Sequence, residues 1–470
     1  MTESAAAAPT DAVMINAFTG EEVATGGLAP NYAAWTVGRP ALEERQLLPP
    51  PIDPAQWQDE RIGWGVILAE REGLSAAALA TADDAPEPIR ALVAARNGKV
   101  LRYRPGSQFN TWTLRDYVGQ GDLLTAASPP GAGPRQLPMY LLIHGSPAVI
   151  PWQVQYALNP VRHVGRLDLT GDALANYVGA LLDDWSQSQA RYDAPVVWSV
   201  DHGGGDITTT MRDAIGAPMF AKLAADSDIT GGLFLDGSHE QATVPALTRA
   251  LTANQPALVI TTSHGMTGPL DDTEAMRANL GLLVDQAHAL VRPEGLLGSW
   301  QPDGAIWFAQ ACCSVGSDQP SAYDGLFSPA SLVGRVLSGV ASLGASIAPL
   351  PRALLGEPKP LRAFIGQVEP TFNWTIAFPP NQQQLTADLQ NALYQRLCSG
   401  QPVGLAMNGY YQPIGSLLIN HNRALTTFNV TAGEAAQSAL DLALYSKVTA
   451  FDRASVIILG DPTVAIPTPA

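Results

Sequence analysis

Between residues 139 and 459 one pattern recurs: a short apolar run, then a stretch of helical periodicity. Residues 139–143, 195–200, 232–235, 257–263, 305–309 and 455–459 are such runs. They are too short for buried helices, and few of them alternate as a strand with one wet face would. Runs of this kind fit a sheet covered on both faces, and strands that alternate with helices make that sheet mostly parallel. The expectation is an α/β protein with helices on both faces of a mostly parallel sheet, preceded by a less regular N-terminal region.

That region is expected to span residues 1–135. It is rich in Ala, Pro and Gly up to residue 55, with Leu48-Pro49-Pro50-Pro51-Ile52 as an extended arm. Residues 106–135 contain Ser128-Pro129-Pro130-Gly131 and read as a loop. The rest, 136–470, is expected to be one domain, either undivided or built as subdomains 136–240 and 241–470. Of the 470 residues 46% are hydrophobic and 15% charged, which excludes wholesale disorder. The net charge of −16 comes without clustered Lys or Arg, so nucleic acid is not the expected partner. No apolar run reaches the roughly 18–20 residues of a membrane span. The start, Met1-Thr2-Glu3-Ser4 and alanines, lacks the basic and apolar parts of an export signal. The three cysteines, Cys312, Cys313 and Cys398, cannot form a disulfide framework. A cytoplasmic, reducing setting is expected.

Two of the runs end in reactive side chains. Residues 257–263 lead into His264-Gly265, and residues 305–309 lead into Gln310-Ala311-Cys312-Cys313-Ser314. Parallel sheets place their active sites beyond the carboxyl ends of strands. A free thiol is mostly protonated at neutral pH, and a nearby imidazole makes it a nucleophile and later protonates the leaving group. Gly265, without a Cβ, lets backbone approach a substrate. Its N–H and that of Cys312 are expected to form an oxyanion hole. His264 and Cys312 are thus the expected catalytic pair. Cys313 points the other way along an extended segment and is expected to be packed.

These segments resemble the clan of caspases, gingipains, legumains and separases, whose members share strand–His-Gly followed by strand–Ala-Cys. Gln310-Ala311-Cys312 matches the start of the caspase signature, whose His lies about 50 residues upstream. Cys313-Ser314 departs from the residues usual there. Leu141-Leu142-Ile143-His144-Gly145 with Ile150-Pro151, Val164-Gly165-Arg166-Leu167, and Leu459-Gly460-Asp461-Pro462 look like gingipain-like segments. The resemblance covers roughly residues 137–370 and the C-terminal tag. It implies a cysteine endopeptidase acting on protein or peptide substrates through an acyl-enzyme, with Cys312, the residue after Ala, as nucleophile. It implies no cofactor, and a zymogen in a bacterial stress or antiviral defence pathway, cut by an activating protease within residues 106–135 or 271–292. The stretch after Pro151 lacks the acid of arginine-specific members. Trp152, Gln153 and His144 are the residues expected to line the substrate pocket.

Asp236, Asp271, Asp272, Glu274 and Asp318 are all open as the acid that orients His264. His202, before Gly203-Gly204-Gly205, fits the rim of a cleft or a plain loop. His163, His239, His288 and His421 show no metal-ligand spacing, so no metal is expected. Two rival readings remain. One is a serine hydrolase, for which Gly344-Ala345-Ser346-Ile347-Ala348 lacks the final glycine of the elbow. The other is an inactive scaffold of the same fold that binds partners.

Overall fold

The computed structural model describes residues 52–106 and 111–468, and the backbone of two strands before them. Those two, β1 (Val13–Phe18) and β2 (Val23–Gly26), pair antiparallel within the unit Met1–Ile52. The arm expected at residues 48–52 lies, except for Ile52, outside the described residues.

The unit Asp53–Ala470 begins with β3 (Trp64–Ala69), β4 (Lys99–Tyr103), β5 (Thr113–Asp116), β6 (Gly121–Leu124), β7 (Tyr140–His144) and β8 (His163–Leu167). It continues with β9 (Val196–Ser199), β10 (Leu233–Asp236), β11 (Leu258–Thr262), β12 (His264–Gly265), β13 (Leu283–Val284) and β14 (Ile306–Gln310). The last are β15 (Gly316–Ser317), β16 (Ser346–Ile347), β17 (Ala363–Gln367), β18 (Ala377–Phe378), β19 (Gln383–Gln384) and β20 (Val456–Gly460). Three short antiparallel pairs stand apart: β12 with β13, β15 with β16, and β18 with β19. The other twelve form one sheet in the order β10-β9-β11-β14-β17-β20-β8-β7-β3-β4-β5-β6. The molecule is therefore an α/β protein with a large, mostly parallel sheet flanked by helices.

Burial explains why the runs lack alternation. Every residue of β11, β14, β17 and β20 is buried, as a strand covered on both sides requires. Crossover helices such as Val244–Asn254 and Leu332–Ser342 return the chain between parallel strands. Direction reverses once in the middle. From β10 to β17 the neighbours are parallel, β17 and β20 are antiparallel, and β20 is parallel to β8, β7, β3 and β4. The carboxyl ends of β11 and β14 therefore lie at the edge opposite to that of β7.

The C-terminal tag locks this seam. A Cβ on Gly165 would come within 2.0 Å of the Gly460 carbonyl oxygen, so only glycine permits the approach of β8 to β20. The buried Asp461 carboxylate accepts from Trp64 Nε1 at 3.0 Å and from Arg96 at 3.1 Å, tying β20 to the amino-terminal strands. Arg166 is fully buried, yet its guanidinium reaches Gln155 Oε1 and the Gly145 and Pro151 carbonyls.

Two expectations about organisation are corrected. Residues 53–135 belong to the same unit as the rest, and the chain divides after Ile52 rather than at 135/136 or 240/241. Residues 111–124 are no loop either, because β5 and β6 form a hairpin on the edge of the sheet. Leu114 and Leu123 turn inward, and Lys99 pairs with Asp116 at 2.8 Å. The abundant Pro and Gly around these short strands conceal them in the sequence.

Candidate active site

Register brings the backbone exits of His264 and Cys312 side by side. In the parallel pair β11–β14, Thr262 lies opposite Gln310. His264 and Cys312 each follow two residues later, so both leave the sheet at the same level on neighbouring strands. Ser263 N–H donates to the Gln310 carbonyl at 3.2 Å and ties the two exits together.

Two glycines set the remaining distance. The β12–β13 hairpin lies directly on the backbone after β14. A Cβ on Gly265 would stand 1.9 Å from the Cys312 carbonyl oxygen, and one on Gly281 would stand 2.0 Å from that of Cys313. Met266 N–H donates to the Leu282 carbonyl, so at the preceding position, Gly265, the N–H points away from β13. Among the described residues, the Cys312 N–H has no carbonyl partner.

Cys312 is half-buried, and its sulfur is held by one residue. Thr371 N–H donates to Sγ at 3.3 Å, and the thiol faces the Thr371 carbonyl at 3.7 Å. Burial pushes the thiol up to about 11 despite the N–H that Thr371 offers. No hydrogen bond joins it to His264. Cys313 adopts φ +55° and is buried with Met276, Leu280, Val340 and Leu343. Burial also pushes the thiol of Cys398 up, to about 12.

The acid beside His264 is Asp206, which the sequence reading missed. His264 Nε2 lies 3.0 Å from Asp206 Oδ2. Asp206 sits on the loop after β9, the strand on the other side of β11. Its Oδ1 caps the helix Ile207–Met211 by accepting from the Thr208 N–H at 2.8 Å and the Thr208 hydroxyl at 2.6 Å. Burial raises its pKa, but the Thr208 donors and His264 outweigh this and hold it at about 2. The one signal in the sequence was its place after a neighbouring apolar run. His202 stacks on His264 with ring centroids 5.6 Å apart, and His288 stacks on His202 at 4.4 Å. Among the described residues, His202, Asp206 and His264 are a set that could hold a metal ion: one ligand atom from each lies within 4.8 Å of the others. Linear spacing concealed this set, because it joins two loops.

None of the five acids open in the sequence reading bonds His264. Asp236 is clamped by Arg212 at 2.6 Å, Asp272 caps the helix Thr273–Asn279, and Asp318 accepts from Gln153 Nε2 at 2.7 Å. Asp271 and Glu274 are exposed. The expected pocket wall is corrected as well. Trp152 is fully buried, donates from Nε1 to the Ser317 carbonyl at 2.9 Å, and has the Arg166 guanidinium 4.7 Å from its ring. Gln153 is exposed and engaged with Asp318. His144 ends β7, at the edge opposite to Cys312, where burial lowers its pKa. Ser346, the closest approach to a serine elbow, shares a hydrogen bond with Ser317 and has none to an imidazole.

Two buried carboxyls lie beneath the thiol. Asp452 accepts from Thr371 Oγ1 at 3.0 Å, Thr375 Oγ1 at 2.7 Å and Tyr323 Oη at 3.2 Å. Burial raises it to about 6, and burial raises Glu369 to about 7. Both then bind protons in the native state that the unfolded chain releases near 3.8 and 4.5. The stability they contribute is full in acid and falls as pH rises from about 4 towards 7. Glu369→Gln stays neutral throughout. Between pH 5 and pH 8 the variant should gain about 1–3 kcal/mol on the wild type, measured by urea unfolding.

Compared with family models, curated proteins and solved structures, the chain matches none.

Proposed function

We propose that this protein is a cysteine endopeptidase in which Cys312 is the nucleophile and His264 the acid and base, resembling the caspase and gingipain clan. The observation that carries the reading is the shared exit of His264 and Cys312 from strands paired in register, with Gly265 against the Cys312 backbone. Asp206 accepts the Nε2–H of His264, which leaves Nδ1 as the nitrogen for the thiol proton. Sγ leaves Thr371 when substrate enters and gives its proton to Nδ1. The thiolate attacks the scissile carbonyl carbon. The oxyanion takes hydrogen bonds from the Gly265 and Cys312 amides. His264 then protonates the leaving amine as the C–N bond breaks, and water hydrolyses the thioester.

The neutral thiol on Thr371 describes a resting enzyme, in keeping with a zymogen. Residues 269–274, in the connection between β12 and β13, are exposed and present an accessible site for an activating cut. The cysteines are free, which suits a reducing cytoplasm, where the nucleophile stays reduced. Among the described residues no helix is long and apolar enough to cross a membrane.

Cleavage of a fluorogenic peptide library, before and after limited proteolysis, tests the reading. Hydrolysis that depends on Cys312 supports it. Its absence in both preparations favours the inactive scaffold, which the protonated resting thiol also suits. Asp206→Asn keeps an oxygen for the helix cap but loses the charge that orients His264. It should lower kcat about 10- to 100-fold with little change in KM. A steady-state comparison with the wild type measures this.

A further inference from the structure

The second feature of this site is the group of donors on the far side of His264. His202 and His264 present two imidazoles, and Asp206 a carboxylate, with one ligand atom of each within 4.8 Å of the others. Zinc-class ions take such donors at about 2.0–2.2 Å and keep a position open when the protein supplies three.

The surroundings are those of a built site. His202 Nε2 donates to the Asp285 carbonyl at 3.1 Å, which fixes the tautomer and leaves the Nδ1 lone pair free. The Asp285 carboxylate is itself pinned by the amides of Val244, Ala287 and Ala289. Thr208 holds Asp206 Oδ1 and also accepts from His202 N–H at 3.0 Å, so both ligand-bearing residues hang on one hydroxyl. Asp206 Oδ2 stays on the donor side, 3.0 Å from His264 Nε2. Stacking between His264 and His288 keeps the His202 ring in place. The peptidase reading gives no task to His202, its Asp285 anchor or the His288 stack.

We propose that His202, Asp206 and His264 bind one zinc-class divalent cation, and that the bound ion holds the peptidase inactive. The second half rests on the peptidase reading. The step is a tautomer exchange. The ion takes the Nε2 lone pair of His264, and the proton of Nε2 moves to Nδ1. A protonated Nδ1 cannot accept the Cys312 proton, so the thiol stays neutral. Removing the ion returns the proton to Nε2, where Asp206 accepts it.

The test is a titration of Zn2+ against a chromophoric chelator, on the full chain carrying Cys312→Ala so that the thiol is not a ligand. One ion per chain should bind. His202→Ala in the same background should weaken binding at least about 100-fold, whereas His239→Ala should leave it unchanged. Failure to saturate at one ion, or equal affinity in the His202→Ala chain, overturns the site. With Cys312 present, hydrolysis should fall as Zn2+ is bound and return with chelator, and the His202→Ala enzyme should stay active in the same Zn2+. Binding at the three residues with hydrolysis undiminished overturns the inhibitory role alone. A chain that binds the ion but cleaves no peptide under any condition overturns the peptidase reading and leaves the site standing.

Discussion

Cys312→Ala should lower peptide hydrolysis by about 10^4-fold or more. His264→Ala should cost nearly as much, and the double variant little more than either, because nucleophile and base act as one unit. The fold should survive. The Cys312 side chain is half-buried, and its hydrogen bonds go to one residue, Thr371. Unchanged circular dichroism and thermal unfolding, beside lost turnover, would separate chemistry from structure. Hydrolysis retained in the Cys312→Ala chain would assign the activity elsewhere.

The second large effect is expected from a single methyl group. Gly265→Ala places a Cβ 1.9 Å from the Cys312 carbonyl oxygen, well inside contact distance. The obstacle is backbone on both sides, so no side chain can swing away. The hairpin β12–β13 must lift from the Cys312–Cys313 segment. Overpacking of this kind costs about 1–3 kcal/mol, and the high end is expected here. The shift also moves His264 and the Gly265 amide relative to Sγ. A misplacement of about 1 Å is enough to cost about 100-fold in rate. Urea unfolding and kcat/KM, measured on the same preparation, check both. A stable and fully active Gly265→Ala chain would show that the close approach is not needed.

How far the sequence reveals this site depends on whether a feature is local. The apolar runs at residues 257–263 and 305–309 mark strands without help from the rest of the chain, because strands buried on both faces have no other composition. The glycine after His264 was legible for the same reason. Partners set by the topology were not. Asp206 becomes the neighbour of His264 only because β9 lies beside β11, and nothing in the linear order says so. Thr371, which holds the thiol, comes from beyond β17. Trp152 follows a gingipain-like segment and reads as a pocket wall, but Arg166 and the distant Ser317 enclose it. His144 resembles a cleft residue until the reversal of direction between β17 and β20 carries β7 to the other edge. The hairpin β5–β6 is four residues per strand, too short for alternation to stand out from surrounding Pro and Gly.

The central claim is that the imidazole of His264 activates the sulfur of Cys312. The most direct measurement is covalent capture by a short peptide carrying a thiol-reactive electrophile, with the modified residue located by mass spectrometry. The account predicts labelling of Cys312 with Cys313 and Cys398 untouched, and a rate at least about 100-fold slower in His264→Ala. Labelling of Cys312 at the same rate with and without His264 would contradict it.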